Sequence, residues 1–233
     1  MVENTKYSEV DGYQLSYSSD WVAELESKEH WVYYWNQASL VIEETDKNDP
    51  LLEVGVGTSF LSNFLKSKGR NVVTIDIDES KRPDIVGDIS SVPLDDFYGR
   101  TLLAFEIFEH IPFPLLERAL RNFSNQNITR LLFSVPWGER RLFDIKAKLP
   151  KLKTINLRIA LPKSSVTTQN HFWELQNRST NECSVVAGEC KGFVSYKKFT
   201  DTLEKYNYSV VPLRKVDDIQ FFCANLNKPS ASK

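Results

Sequence analysis

Apolar and polar positions recur along this chain with two periods, and each change of period marks a change of element. Trp31, Trp35, Ala38 and Ile42 follow one another at helical spacing, which predicts an amphipathic helix over 28–44 with that stripe turned to the core. Tyr33 and Tyr34 fall on its other faces, and Tyr34 is placed to border a ligand. The turn signal Asn48-Asp49-Pro50 precedes a short apolar strand, Leu51–Val56. Phe60–Lys68 reads as a helix with Phe60, Leu61, Phe64 and Leu65 inward and Gly69 closing it. Strands are expected at Asn71–Ile77, Ile85-Val86, Thr101–Phe105 and Ile128–Val135. Between the last two, a helix starts at Pro114 and buries Leu116, Ala119, Leu120 and Phe123.

Strands that alternate with helices imply a parallel sheet with right-handed crossovers. Residues 137–192 break the rhythm: they are basic, then polar, and carry Pro150, Pro162 and Gly192, so they are expected to form an inserted lid. The rhythm returns with a helix at Tyr196–Tyr206. The strands Tyr208–Val216 and Ile219–Leu226 follow, and since only Asp217-Asp218 separates them they must pair antiparallel. The expected division is a helical cap over 1–50, a first half-domain over 51–136, the lid over 137–192, a completing helix and hairpin over 193–227, and a tail over 228–233.

Composition narrows the class. At 233 residues and 41% hydrophobic content the chain suits one α/β domain with an insertion. A net charge of −2 argues against an electrostatic nucleic-acid binder, and no nucleic-acid partner is expected. The charge is nevertheless uneven. Arg140, Arg141, Lys146, Lys148, Lys151, Lys153, Arg158 and Lys163 are opposed only by Asp144. Such a run is either a solvated face or a docking surface for an anionic acceptor or an acidic membrane surface, so peripheral contact through 140–163 stays open. Cys183, Cys190 and Cys223 are odd in number and form no Cys-x-x-Cys pair, so neither a disulfide framework nor a metal site is expected. No apolar run is long enough to span a membrane and no signal peptide opens the chain, so the expected compartment is the cytoplasm.

The chemistry starts at Glu53-Val54-Gly55-Val56-Gly57-Thr58-Ser59, between a strand and a helix. Glycines there permit a sharp turn and let a ligand approach without meeting a Cβ. Phe60 takes the place of the third glycine of a dinucleotide loop and opposes a pyrophosphate contact. Asp76 ends the next strand, where an acid accepts the hydroxyls of a ribose. Asp88, in Val86-Gly87-Asp88-Ile89, is placed to accept from an adenine amino group while Ile89 packs on the ring, or else to cap a turn.

In Leu51–Ser59, Thr74–Asp78, Pro83–Leu94, Ala104–Phe113 and Leu131–Pro136 the chain resembles the class I S-adenosylmethionine-dependent methyltransferases. It is most similar to a bacterial and archaeal subgroup with a His-x-Trp-Glu element, matched by His171-Phe172-Trp173-Glu174. The resemblance implies a Rossmann-like seven-stranded sheet with its last strand antiparallel and helices on both faces. It implies S-adenosyl-L-methionine as cofactor, with Glu53, Gly55 and Gly57 at the methionine end, Asp76 and Ile77 at the ribose, and Asp88 and Ile89 at the adenine. Phe105 and Glu106 would line the methyl-donor pocket. Two departures stand out: Gly99-Arg100-Thr101 where the family often has an Asp, and Ser59 where many members have a third glycine.

Methyl transfer is an in-line displacement, and a hydroxyl or amine acceptor must also lose a proton. His171 is the first candidate base, with Trp173 as a wall for a substrate ring and Glu174 orienting the histidine or binding a hydroxyl. His110 is the second, a structural histidine on the competing reading, and His30 is assigned no role. The expected acceptor is a small molecule or a saccharide. A nucleotide-dependent oxidoreductase and a non-catalytic adaptor of the same fold remain as alternatives.

Overall fold

In the computed structural model, the residues described are 5–18, 27–94, 97, 99–126, 128–147, 155–166, 170–177 and 192–227. Lys148, Pro150, Lys151, Lys153, Cys183, Cys190 and the expected tail lie outside them, as do the side chains of Arg141, Asp144, Lys146 and Arg158.

The chain opens with a hairpin of β1 (Thr5–Val10) and β2 (Tyr13–Ser18), not with helix alone. Asp11 and Gly12 form its turn, both at positive φ (50° and 78°), the handedness that matches the twist of the two strands. Helix α1 (Lys28–Glu44) follows, with the Ser27 side chain accepting from the His30 backbone N–H.

The inward face of α1 is not the expected one. Trp31, Trp35 and Ile42 are 49%, 67% and 50% exposed, whereas Tyr34, Gln37, Ala38 and Val41 are buried. Both stripes have helical spacing, and size decides between them: Ala38 and Val41 let α1 approach the sheet closely, which two indoles would prevent.

The central sheet contains β3 (Leu51–Val54), β4 (Val72–Asp76), β5 (Ile85–Val86), β6 (Thr101–Phe105), β7 (Arg130–Pro136), β12 (Tyr208–Val216) and β13 (Ile219–Leu226). Its spatial order is β12-β13-β7-β6-β3-β4-β5. Neighbours from β7 to β5 are parallel, while β13 runs antiparallel to both β7 and β12. The expected seven-stranded sheet with a reversed last strand is therefore present. The reversed strand lies inside the sheet, one place from its edge.

Alternate residues of each strand serve opposite layers. Leu52, Leu102, Ala104, Leu131, Phe133, Phe222 and Ala224 meet α3 (Phe113–Asn125) and α4 (Tyr196–Lys205) through Leu116, Ala119, Leu120, Phe123, Phe199 and Leu203. Leu51, Val72, Leu103, Leu132 and Cys223 face the other way, onto α1 and onto Leu61 and Leu65 of α2 (Phe60–Ser67). Burying each large apolar side chain contributes about 1.5–3 kcal/mol, so both layers are needed.

The interrupting segment divides in two. β8 (Glu139–Ala147) and β9 (Ile155–Pro162) form an antiparallel hairpin that leaves Leu142, Phe143, Ile145, Leu157, Ile159 and Leu161 exposed. β10 (Trp173–Gln176) instead pairs in parallel with β11 (Gly192–Ser195) and is buried throughout. No helix among the described residues is long and apolar enough to cross a membrane.

Candidate active site

The loop from β3 to α2 leaves the sheet at its carboxyl edge, where open parallel sheets gather ligands. Its backbone turns through left-handed conformations at Gly55 (φ 77°), Gly57 (φ 53°) and Ser59 (φ 61°). A Cβ on Gly55 would come within 2.0 Å of Ile107 Cδ1, so the Ile107 side chain would have to shift to admit one, in addition to the strain at positive φ. Ser59 keeps the left-handed geometry that a third glycine would adopt without strain.

Asp76 pins this loop from the end of β4. Its carboxylate accepts from the Val56 N–H at 2.8 Å and the Asp78 N–H at 2.9 Å, and Lys81 Nζ lies 3.2 Å away. Glu53 stands beside it, 6% exposed, with Oε2 unpartnered. Burial, reinforced by Asp76, pushes the Glu53 carboxyl up to about 8, against the opposing pull of the Ser62 hydroxyl and Lys66.

Across the opening, β6 ends at Phe105 and Glu106. Glu106 adopts φ 55°, rare for a residue with a side chain, and its N–H bonds back to Ser134. Its Oε1 is buried without a partner, and burial together with Asp218 raises its carboxyl to about 7. One cavity joins these elements. Tyr34, Glu53, Gly55, Gly57, Asp76, Ile77, Asp88, Ile89, Phe105, Glu106 and His110 all line it, so the expected cofactor residues converge on one space. Within it, Asp88 also caps its own turn, accepting from the Ser90 N–H and from the Ser90 and Ser91 hydroxyls.

Several wall residues were not foreseen. Phe60, expected in the core, instead lines the cavity, stacked on Tyr34 at 4.8 Å, and Tyr34 Oη is 2.9 Å from Thr58 Oγ1. Leu15, from the amino-terminal hairpin, and Lys81 also line it. His30, assigned no role, is on the wall too, edge-on to Tyr34 at 4.7 Å.

The histidines exchange places. His110, on a 3₁₀ turn (Phe108–His110) after β6, is the one that lines the cavity. Burial and the neighbouring His171 lower it to about 3, so the ring is neutral, and its Nδ1 is 3.0 Å from the Asn170 carbonyl. His171 is absent from the cavity wall. It packs behind His110 and is 9% exposed, with Nδ1 3.5 Å from Glu174 Oε1. Glu174 is fully buried and bonded to Lys163 Nζ at 2.9 Å.

Trp173 does not form a substrate wall. Its ring is fully buried edge-on to Phe113, and its indole N–H donates to the Ile111 carbonyl at 3.0 Å. A large ring one residue from a buried strand partner is worth more in the core than at a polar opening. Lys163 likewise leaves the basic run, because its ammonium is held between Glu174 and Asp218.

No protein-family model matches the chain, and no curated protein sequence matches it. Solved structures do. The glycopeptide N-methyltransferase MtfA, complexed with S-adenosyl-L-methionine, superposes with a TM-score of 0.53 at 13% identity, covering 83% of this chain and 94% of that one. The PH0226 protein from Pyrococcus horikoshii OT3 gives 0.56 at 10% identity, covering 88% and 94%. The magnesium protoporphyrin IX methyltransferase ChlM from Synechocystis PCC 6803, with bound S-adenosylhomocysteine, gives 0.54 at 10%, covering 85% and 84%. The fold is the class I methyltransferase fold. Within that fold, the cavity described above occupies the carboxyl edge of β3, β4 and β6.

Proposed function

We propose that this chain is an S-adenosylmethionine-dependent methyltransferase acting on a hydroxyl or amine of a small molecule or saccharide. One observation carries the reading: Glu53, the Gly55–Gly57 loop, Asp76, Asp88 and Ile89, spread over three strand ends, line a single cavity in a methyltransferase fold. The His171–Glu174 element supports placement in the His-x-Trp-Glu subgroup.

In this reading the methionine end lies along the β3–α2 loop with its ammonium toward Glu53. The ribose meets Asp76 and the adenine lies against Ile89. The Phe60–Tyr34 pair excludes water from the opposite wall. The acceptor enters beside Glu106 and His110, with the imidazole pair His110 and His171 next to the point where its proton must leave. The chain's main task is to hold acceptor and methyl in line. The exposed Arg140 on β8 supports an anionic acceptor, drawn in by a field that salt would screen.

Titration calorimetry with S-adenosylmethionine, S-adenosylhomocysteine and NAD tests this directly. Binding of the first two without NAD is the expected result. NAD binding alone would establish the oxidoreductase alternative, and binding of none would leave a non-catalytic adaptor. An acceptor KM that rises with salt, at constant cofactor affinity, is expected if the basic segment docks an anion.

A further inference from the structure

Behind the cavity wall, side chains from two distant segments of the chain converge. Glu109, His110 and His171 each offer a ligand atom, and these atoms all lie within 4.8 Å of one another. Glu109 is 1% exposed, and neither of its carboxylate oxygens has a hydrogen-bond partner among the other described residues. An ionised carboxylate so placed costs several kcal/mol unless a cation compensates it. Among the described residues, Lys163 is paired with Glu174 and Lys81 with Asp76.

The second ring nitrogens are organised as metal sites organise them. A ligating histidine normally gives its other N–H to a carbonyl or carboxylate, which fixes the tautomer and aims the lone pair. His110 Nδ1 faces the Asn170 carbonyl at 3.0 Å, which places the lone pair on Nε2. His171 Nδ1 faces Glu174, itself anchored by Lys163. The two rings meet edge to face at 5.0 Å.

We infer that Glu109, His110 and His171 form a binding site for a divalent transition cation, with Asn170 and Glu174 as its outer supports. Two imidazoles and one carboxylate suit zinc, iron or manganese better than calcium or magnesium, which prefer all-oxygen shells. Three protein ligands leave positions open for an exogenous oxygen. His110 belongs to both the cluster and the cavity wall, so that oxygen comes from the cavity side. This last step rests on the proposed methyl transfer. A cation held there would acidify an acceptor O–H, so that its proton passes to water and not to the ligating imidazoles. The oxygen would then take the methyl group as the sulfonium S–CH3 bond breaks, releasing S-adenosylhomocysteine.

The test uses the full chain, stripped with a chelator and titrated with Co²⁺ alone, reading visible ligand-field absorption and calorimetric stoichiometry. One Co²⁺ per chain, with a rise in Tm, is expected. Glu109→Gln and His171→Ala should each abolish the absorption band. Glu174→Gln should retain the band but weaken binding about 10–100-fold, as loss of an outer support does. Circular dichroism confirms that the variants are folded, and should the first two fail to fold, Glu174→Gln carries the comparison. Absence of stoichiometric Co²⁺ binding by folded wild type overturns the proposal, as does binding that Glu109→Gln and Glu174→Gln both leave unchanged. S-adenosylmethionine titrated into the stripped chain separates the two readings. Cofactor binding without Co²⁺ binding removes the cation alone, and the reverse removes the methyltransferase reading while leaving the cation site.

Discussion

His110 and His171 stand edge to face, their ring planes at 83°, one imidazole on the cavity wall and the other backed by Glu174. They come from opposite ends of the sequence between β6 and β10, so neither is set by its neighbours in the chain alone. Loss of either ring should affect turnover before cofactor binding. His171→Ala is expected to lower kcat by about 10²–10⁴-fold, the scale of lost assistance to proton removal. Calorimetry should find S-adenosylmethionine affinity unchanged. A lower Tm with undiminished turnover per folded molecule would make His171 purely structural.

Asp76 pins the β3–α2 loop, and if it also holds the ribose as proposed, substitution separates the two tasks. Asp76→Ala and Asp76→Asn should both weaken S-adenosylmethionine binding, by about 1–3 kcal/mol, the scale of a lost bond to a charged acceptor. Asp76→Ala should also lower Tm further, since it strands the Val56 and Asp78 N–H groups that the carboxylate now satisfies. Wild-type affinity in a folded Asp76→Asn protein would remove Asp76 from the cofactor site.

The raised carboxyl of Glu53 makes both stability and cofactor affinity depend on pH. Its folded-state value, about 8, lies above the ordinary 4.5 of a glutamate, so the folded chain binds the extra proton. Stability of the empty protein should therefore fall as pH rises from about 5 to 8. Affinity for a ligand that presents an ammonium to Glu53 should rise over the same range, because it favours the ionised carboxylate. Glu53→Gln should flatten the affinity profile, as measured by calorimetry at a series of pH values. An unaltered profile would assign the dependence to another group.

Gly55 is constrained twice, by φ 77° and by Ile107. Gly55→Ala should lose about 1–2 kcal/mol from the left-handed backbone alone. The contact with Ile107 adds to that. The double variant Gly55→Ala/Ile107→Ala should be less destabilised than the sum of the singles, by about 0.5–3 kcal/mol, in urea unfolding. Strict additivity would show that Ile107 yields without cost.

The sheet was legible because its signals are local. Apolar runs bounded by turns define β3, β5 and β6, and the short Asp217-Asp218 link dictates the β12–β13 pairing. The cavity wall was legible for the same reason, since each expected cofactor residue stands at or just beyond the carboxyl end of a strand. What escaped depends on partners distant in sequence. The exposed Trp31 and Trp35 and the buried Tyr34 have equivalent helical spacing, and only the fit against α2 and the sheet separates them. Trp173 looks the same in sequence whether its indole N–H meets a ligand or the Ile111 carbonyl. The Glu109, His110 and His171 cluster joins two segments that no motif links. The β1–β2 hairpin is different, because Asp11-Gly12 between alternating residues is a local turn signal that goes unread if 1–50 is taken as helical.

The position of β13 also bears on how the molecule assembles during synthesis. Among the described residues, β7 acquires its outer neighbour from β13, which follows it by more than eighty residues, and β12 joins the sheet through that strand. Until β13 leaves the ribosome, β7 presents a bare edge and Phe133 lacks its cross-strand partner Phe222. The nascent chain can therefore hold its β3–β7 half early but cannot close it, and a stall before Ile219 would release a species prone to edge-to-edge association.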